Sequence, residues 1–232
     1  MTSSTCSIVE DNLVVIEDDA RELGVKIAYT AAWGPAVSTL SAQILEPVVS
    51  DTINYLKRAL SLNTLREDPR VRAYRDFYWR IGVDPTKTRP SSEALVRRIL
   101  RGEFPRVNPV VDAGNIASAR SMVPIGMYDL EAVSLPLALR LTRGYESFKP
   151  IGGGEERLPQ GIPVVIDAKG RVIHVYPHRD SAETSIKAST SKALIIAAGV
   201  PGIRSETLIE ALEILAGLLA LLNWKTCTVR LA

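Results

Sequence analysis

Cysteine and histidine are scarce, with two of each in 232 residues. Cys6 and Cys227 stand near opposite ends of the sequence, and neither has metal-ligand spacing around it. That argues against a zinc site and leaves their pairing open. His174 and His178 lie four apart, a metal-pair spacing on a helix, but their flanks "GRVIHVYPHRD" read as strand and loop. No metal or other cofactor is expected, and no spacing supports a Cys–His nucleophilic pair. The longest apolar run, near "ILAGLLALL", is well short of the ~20 residues that span a bilayer. The opening "MTSSTCSIVEDN" lacks a basic segment followed by an apolar run, so no signal peptide is expected. Low-complexity tracts, internal repeats, a G-x-x-x-x-G-K-[ST] phosphate loop and a G-x-S-x-G nucleophile elbow are all missing. These absences predict a soluble, cytoplasmic protein with no membrane contact.

The composition is that of a globular chain, 46% hydrophobic and 23% charged, long enough for a sizeable core. Net charge is only +2, but it is uneven. Residues 1–65 carry 4 basic and 8 acidic groups; residues 66–106 carry 11 and 6. The basic block is mostly arginine, including Arg97, Arg98, Arg101 and Arg106. A guanidinium grips phosphate in a planar fork, so the block suits nucleic acid. It equally suits a solvated surface laced with ion pairs.

Periodicity organises the chain. "NLVVIEDDA" and "GVKIAYTAAW" read as strands, the second with alternating Val25, Ile27 and Tyr29 and a stop at Gly34-Pro35. Val37 to Leu60 follow helical spacing, with a kink or break expected at Pro47. Asp68-Pro69 opens a helix whose stripe is Val71, Tyr74, Phe77 and Tyr78 and whose stop is Gly82. Ser91 is expected to cap the next helix, with Glu93 placed where the dipole favours an anion. "PVVIDAKGRVIHVYP" reads as a hairpin, "TSIKAS" and "KALIIAAG" as short strands, "SETLIEALEILAGLLALL" as a Ser205-capped helix, and "TCTVRLA" as a last strand. Helices come first and strands mostly later, an α+β pattern.

Three segments, all read as loops, hold the unusual polar residues. "NPVVDAGNIASARSMVPIGMYD" carries Asn108, Asp112, Asn115, Pro124, Gly126 and Asp129. The second is Gly152-Gly153-Gly154-Glu155. The third, "PHRDSAETSIKASTSKALI", carries His178, Asp180, Thr184 and Thr190. In order, with the upstream "YRDFYWRIGVDPTKTRPSSEALVRRILRGE", they resemble the B3/B4 domain, the amino-acid editing module of the bacterial phenylalanyl-tRNA synthetase beta subunit, in its free-standing form. The resemblance covers about residues 66–200. The synthetase domain usually has an acidic residue and a glycine before the proline and a His after it. Here "SARSMVP" and Met127 stand there, so specificity for tyrosine is not carried over.

The resemblance implies a single domain, a mixed β core with helices packed in layers. Residues 1–65 would add strands and a kinked helix, 66–200 the B3/B4-like core, and 201–232 a closing helix and strand. It implies hydrolysis of the ester of a mischarged tRNA, without aminoacylation. His178, Asp180 and Thr190 are then expected at the ester end of the pocket. Asn108, Asp112, Asn115, Pro124, Gly126, Asp129, Gly153, Gly154 and Thr184 are expected to bind substrate. Arg97, Arg98, Arg101 and Arg106 are expected to meet tRNA. The competing expectation is a non-catalytic module that binds tRNA or an amino acid. By elimination, His178 is expected to titrate near neutral pH in this region.

Overall fold

A computed structural model describes residues 6–9 and 13–232. Most of the segment inspected for a leader, and Asn12 of the first expected strand, lie outside the described residues. The chain runs through β1 (Val14–Ile16), the one-turn helix α1 (Asp18–Arg21) and β2 (Lys26–Trp33) into α2 (Glu46–Ala59), α3 (Pro69–Arg80), α4 (Ser91–Leu100) and α5 (Pro109–Ser121). Strands then dominate: β3 (Ile125–Asp129), β4 (Leu137–Leu141), β5 (Ser147–Phe148), β6 (Glu156–Arg157), β7 (Pro163–Ile166), β8 (Val172–Val175), β9 (Arg179–Asp180) and β10 (Lys192–Gly199). Helix α6 (Ser205–Leu221) and the short β11 (Lys225–Thr226) and β12 (Arg230–Leu231) close it. The fold is α+β.

Local chemistry accounts for most boundaries. Of the kink or break expected at Pro47, the break is found: the proline stands in the first turn of α2, where it lacks only a donor that has no intrahelical partner. Asp68 caps α3 by accepting from the Arg70 amide at 2.9 Å, and Gly82 follows the helix at φ 76°. The stripe expected on α3 is buried. Ser91 and Ser205 are not caps: each is already the first helical residue, after extended Pro90 and Arg204. Nor is "TSIKAS" a strand. Ser185 makes one isolated bridge to Tyr128, while the Ser185 and Thr190 hydroxyls bond locally and hold turns.

The largest departure is α5, expected as loop. Asn108 caps it, accepting from the Val111 amide at 3.0 Å, and Pro109 takes the first helical position. Ten of its 13 residues are buried, on all sides. Alanine, glycine and serine let neighbours approach closely, so no apolar stripe marks it.

One sheet has the order β1-β4-β7-β8-β9, with β1 parallel to β4 and the other neighbours antiparallel. The other has the order β11-β2-β10-β3, with β12 also against β2; β5 and β6 form a separate ribbon. Helix α6 packs on β2, β10 and α5, while α2 and α4 pack on the far side of α5. Buried tyrosines tie the layers. Tyr74 donates to the Ala198 carbonyl at 2.6 Å, and Tyr176 to the Lys26 and Gly199 carbonyls, both at 2.7 Å. Cys6 and Cys227 form a disulfide, and Cys227 is anchored to β2 through Ala31 and Thr30.

Candidate active site

The β8–β9 hairpin is tight, and its register puts His174 directly opposite Asp180. The His174 Nδ1 and Asp180 Oδ1 are 2.8 Å apart, and the Tyr128 hydroxyl donates to the same oxygen at 2.7 Å. Asp180 Oδ2 has no hydrogen-bond partner among the described residues. Gly126, two residues before Tyr128 on β3, makes this approach possible. A Cβ there would lie 2.1 Å from the Tyr128 hydroxyl and 3.0 Å from Asp180 Oδ1.

Asp180 stands between two adjoining cavities. The polar one, about 140 Å³, is lined by Ser91, Asn115, Ser118, Pro124, His174 and His178 among others. The apolar one, about 230 Å³, is lined mainly by aliphatic side chains. Asn115, Ile125 and Asp180 belong to both. Together they reach the low end of the ~300–1,000 Å³ range of small-ligand sites.

His178 lies mostly buried, its Nδ1 unpartnered among the described residues. Burial, then the Arg179 guanidinium and His174, lowers its pKa to about 4. It is therefore neutral at pH 7, and the expectation that it titrates near neutrality fails because the desolvated ring resists charge. A neutral imidazole accepts a hydrogen bond from water but is a poor proton donor to a leaving group.

Of the expected site residues, Asn115, Pro124, His178 and Asp180 line the cavities and Gly126 underlies them. The others are elsewhere. Asn108 is spent on its cap. Asp112 is buried and accepts from the Val107 amide at 2.9 Å, with Arg106 beside it. Asp129 and Thr190 bond each other at 2.8 Å, both buried. Thr184 is buried beside them, its carbonyl accepting from the Asp129 amide. Gly153 and Gly154 sit in an exposed turn.

The expected arginine surface is also thinned. Arg97 and Arg75 clamp Glu93, and Arg106 bridges Glu46 and Asp112. Arg98 and Arg101 remain exposed, Arg98 only loosely paired with Glu103 at 3.6 Å. Ser91, Leu95 and Arg98 follow one another along one face of α4, so Arg98 lies a turn beyond the polar cavity.

Nothing in the spacing or periodicity of the sequence marks His174 and Tyr128 for this site. A hairpin reading of "HVYPHRD" that fixed its register would have placed His174 across from Asp180. Among the described residues, no group of three His, Cys, Asp or Glu side chains is placed to hold a metal. None of the helices there is long and apolar enough to cross a membrane.

Acid should loosen the molecule through two groups. The Glu146 carboxyl is pushed up by burial. The amides of Arg143, Gly144 and Tyr145 and the Arg140 guanidinium overcome this and hold its pKa at about 2. Glu146 and His178 both protonate less readily folded than unfolded. Their stabilisation is whole above the ordinary values of 6.5 for His178 and 4.5 for Glu146, and is lost as pH falls towards about 4 and about 2. The loss should be about 2–3 kcal/mol for His178 and, screened by nearby solvent, about 1–2 for Glu146. Urea midpoints at pH 7, 5.5, 4 and 3 measure it; a flat profile from 7 to 4 would mean that folded His178 is well hydrated.

A family model, the B3/4 domain, matches residues 73–219, and the chain belongs to that family. Among solved structures it resembles the N-terminal fragment of the phenylalanyl-tRNA synthetase beta subunit from Pyrococcus horikoshii. The TM-score is 0.51 at 16% identity, over 92% of this chain and 50% of that one. The likeness is one of fold, and the chain spans half the length of that fragment. The TILS C-terminal domain overlaps 34% of this chain and 71% of its own, at 22% identity and a TM-score of 0.30. No curated protein matches the sequence.

Proposed function

We propose that the paired cavities receive the aminoacyl end of a mischarged tRNA and hydrolyse its ester. The observation that carries this reading is Asp180, the one acidic residue among the described residues lining either cavity. Its carboxylate is pinned by Tyr128 and His174 with one oxygen open, where an apolar space meets a polar one. An amino acid needs this arrangement: an anion for its ammonium group, an apolar recess for its side chain, and a polar recess for its ester. Water held by the neutral His178 imidazole attacks the carbonyl carbon. The side-chain amide of Asn115, which lines both cavities, donates to the developing oxyanion. The bond to the ribose oxygen breaks, that oxygen takes the proton released by water, and free amino acid and tRNA result. No covalent intermediate is needed, because the ester is already activated. Arg98 and Arg101 meet phosphates outside the polar cavity.

The test is single-turnover deacylation across a panel of mischarged tRNAs. Asp180→Asn should lower kcat/KM on the best substrate by ~10²-fold or more, since charged hydrogen bonds are the strong ones. Charge reversal at Arg98 and Arg101 should reduce the salt slope of RNA binding by roughly one for each phosphate no longer neutralised. Full activity in Asp180→Asn would remove the anchor on which the reading rests. One observation favours a binding module instead: Asn108, Asp112, Asp129 and Thr190 are all committed to internal hydrogen bonds. That reading stands if aminoacyl-tRNA binds with the same Asp180 dependence and no substrate is cleaved.

A further inference from the structure

The apolar cavity is specific in its walls. Val107, Val111, Ile125, Met127, Ile151 and Ile186 surround it, and no aromatic ring among the described residues does. Gly114 forms the floor against Met127: a Cβ there would sit 2.5 Å from the Met127 sulfur, so the missing side chain is what lets the thioether lie across the bottom. Val107 and Ile151, at 66% and 60%, are the most exposed aliphatic side chains among the described large hydrophobics, and both stand at this cavity. The Ile151 amide donates to the Asp180 backbone carbonyl at 3.1 Å, which ties the two main chains together beside the cavity. The polar lining is confined to Asn115, Asp180 and Ser185. The first two serve the seam, and the Ser185 hydroxyl donates to the Ala182 carbonyl at 2.9 Å.

We infer that the amino acid removed by this site carries an aliphatic side chain, of the leucine, isoleucine, valine or methionine class, and that tyrosine is rejected. The inference rests on the reading of the cavities as an aminoacyl site. A phenolic hydroxyl in the apolar cavity would lose most of its water, and with Asn115 and Asp180 engaged by the ester and the ammonium group only the Ser185 oxygen is left to meet it. An aliphatic side chain replaces water along every wall and covers Val107 and Ile151. The flexible Met127 adapts the floor to branched or straight chains.

The experiment compares leucyl, isoleucyl, methionyl, phenylalanyl, tyrosyl and seryl esters on one tRNA, with leucinamide and tyrosinamide as uncleavable probes in a thermal-shift assay. Aliphatic esters should be cleaved ~10²-fold faster than tyrosyl, near the limit at which an apolar pocket rejects an added hydroxyl. Leucinamide should raise Tm and tyrosinamide should not. Ile151→Ser, at an exposed position, should raise KM for leucyl ester at least ~5-fold with kcat little changed. Met127→Ala should shift the phenylalanyl-to-leucyl ratio upward by ~10-fold or more. Tyrosyl or seryl ester cleaved as fast as leucyl would overturn the specificity and leave the hydrolase reading intact. Leucinamide binding without cleavage of any ester would overturn hydrolysis and leave the specificity intact. Neither binding nor cleavage overturns both.

Discussion

Reducing the Cys6–Cys227 bond should lower stability by about 5 kcal/mol in the chain-entropy account, in which the loss grows with the logarithm of the closed loop. The two cysteines are 221 residues apart in sequence, close to the whole chain. Cutting that bond gives the unfolded ensemble the freedom of an open chain of this length. The native side loses little, because Cys227 keeps its amide and carbonyl bonds to β2. Chemical denaturation with and without a strong reductant measures the difference, with a Cys6→Ser variant as control. A change under about 1 kcal/mol would show that the unfolded chain is already compact enough for the crosslink to restrict little. Such bonds persist in oxidising compartments and in the cytoplasm of hyperthermophiles.

Glu93→Ala should cost about 3–5 kcal/mol, the usual penalty for removing one side of a buried ion pair. Glu93 is fully buried, and its Oε1 accepts from Arg75 at 2.8 Å and Arg97 at 2.9 Å. Both arginines are themselves mostly shielded, at 20% and 19% side-chain exposure. Without the carboxylate, two guanidinium groups face each other with no anion. Glu93→Gln should be milder, since it keeps the shape and one acceptor. The effect should also reach the site, because Ser91 and Leu95 of the same helix line the polar cavity. Denaturation midpoints and deacylation rates should therefore fall together. Stability lost with the site intact would mean that α4 re-seats without its clamp.

How much of such contacts a sequence carries depends on how much of each element's surface stays wet. The α3 stripe was legible because that helix has one wet face: Val71, Tyr74, Phe77 and Tyr78 stand out against arginines. Helix α5 was not, because burial on all sides erases the contrast that periodicity detects. Its polar residues stand out, but their duties differ from the expected ones. Asn108 and Asp112 organise a helix start, and Asp129 and Thr190 satisfy each other. Glu93 reads as an anion in the first turn of a helix; its i+4 neighbour Arg97 is local, but nothing local reveals that it is buried or that Arg75 of another helix converges on it. Asp180 and His178 stand out in the sequence through the order of motifs. Their partners Tyr128 and His174 depend on strand register, which emerges only when β3, β8 and β9 are assembled.

The all-round burial of α5 also bears on evolvability. This helix is at once core, floor of one recess and wall of the other, so almost every substitution in it is felt in several places. Ile151 and Ile186 border the same recess from segments between regular elements. A lineage under selection for a different occupant would find its accessible steps there, at Ile151 and Ile186, while α5 stayed nearly unchanged. The fold thus separates the part that must be kept from the part that is free to drift.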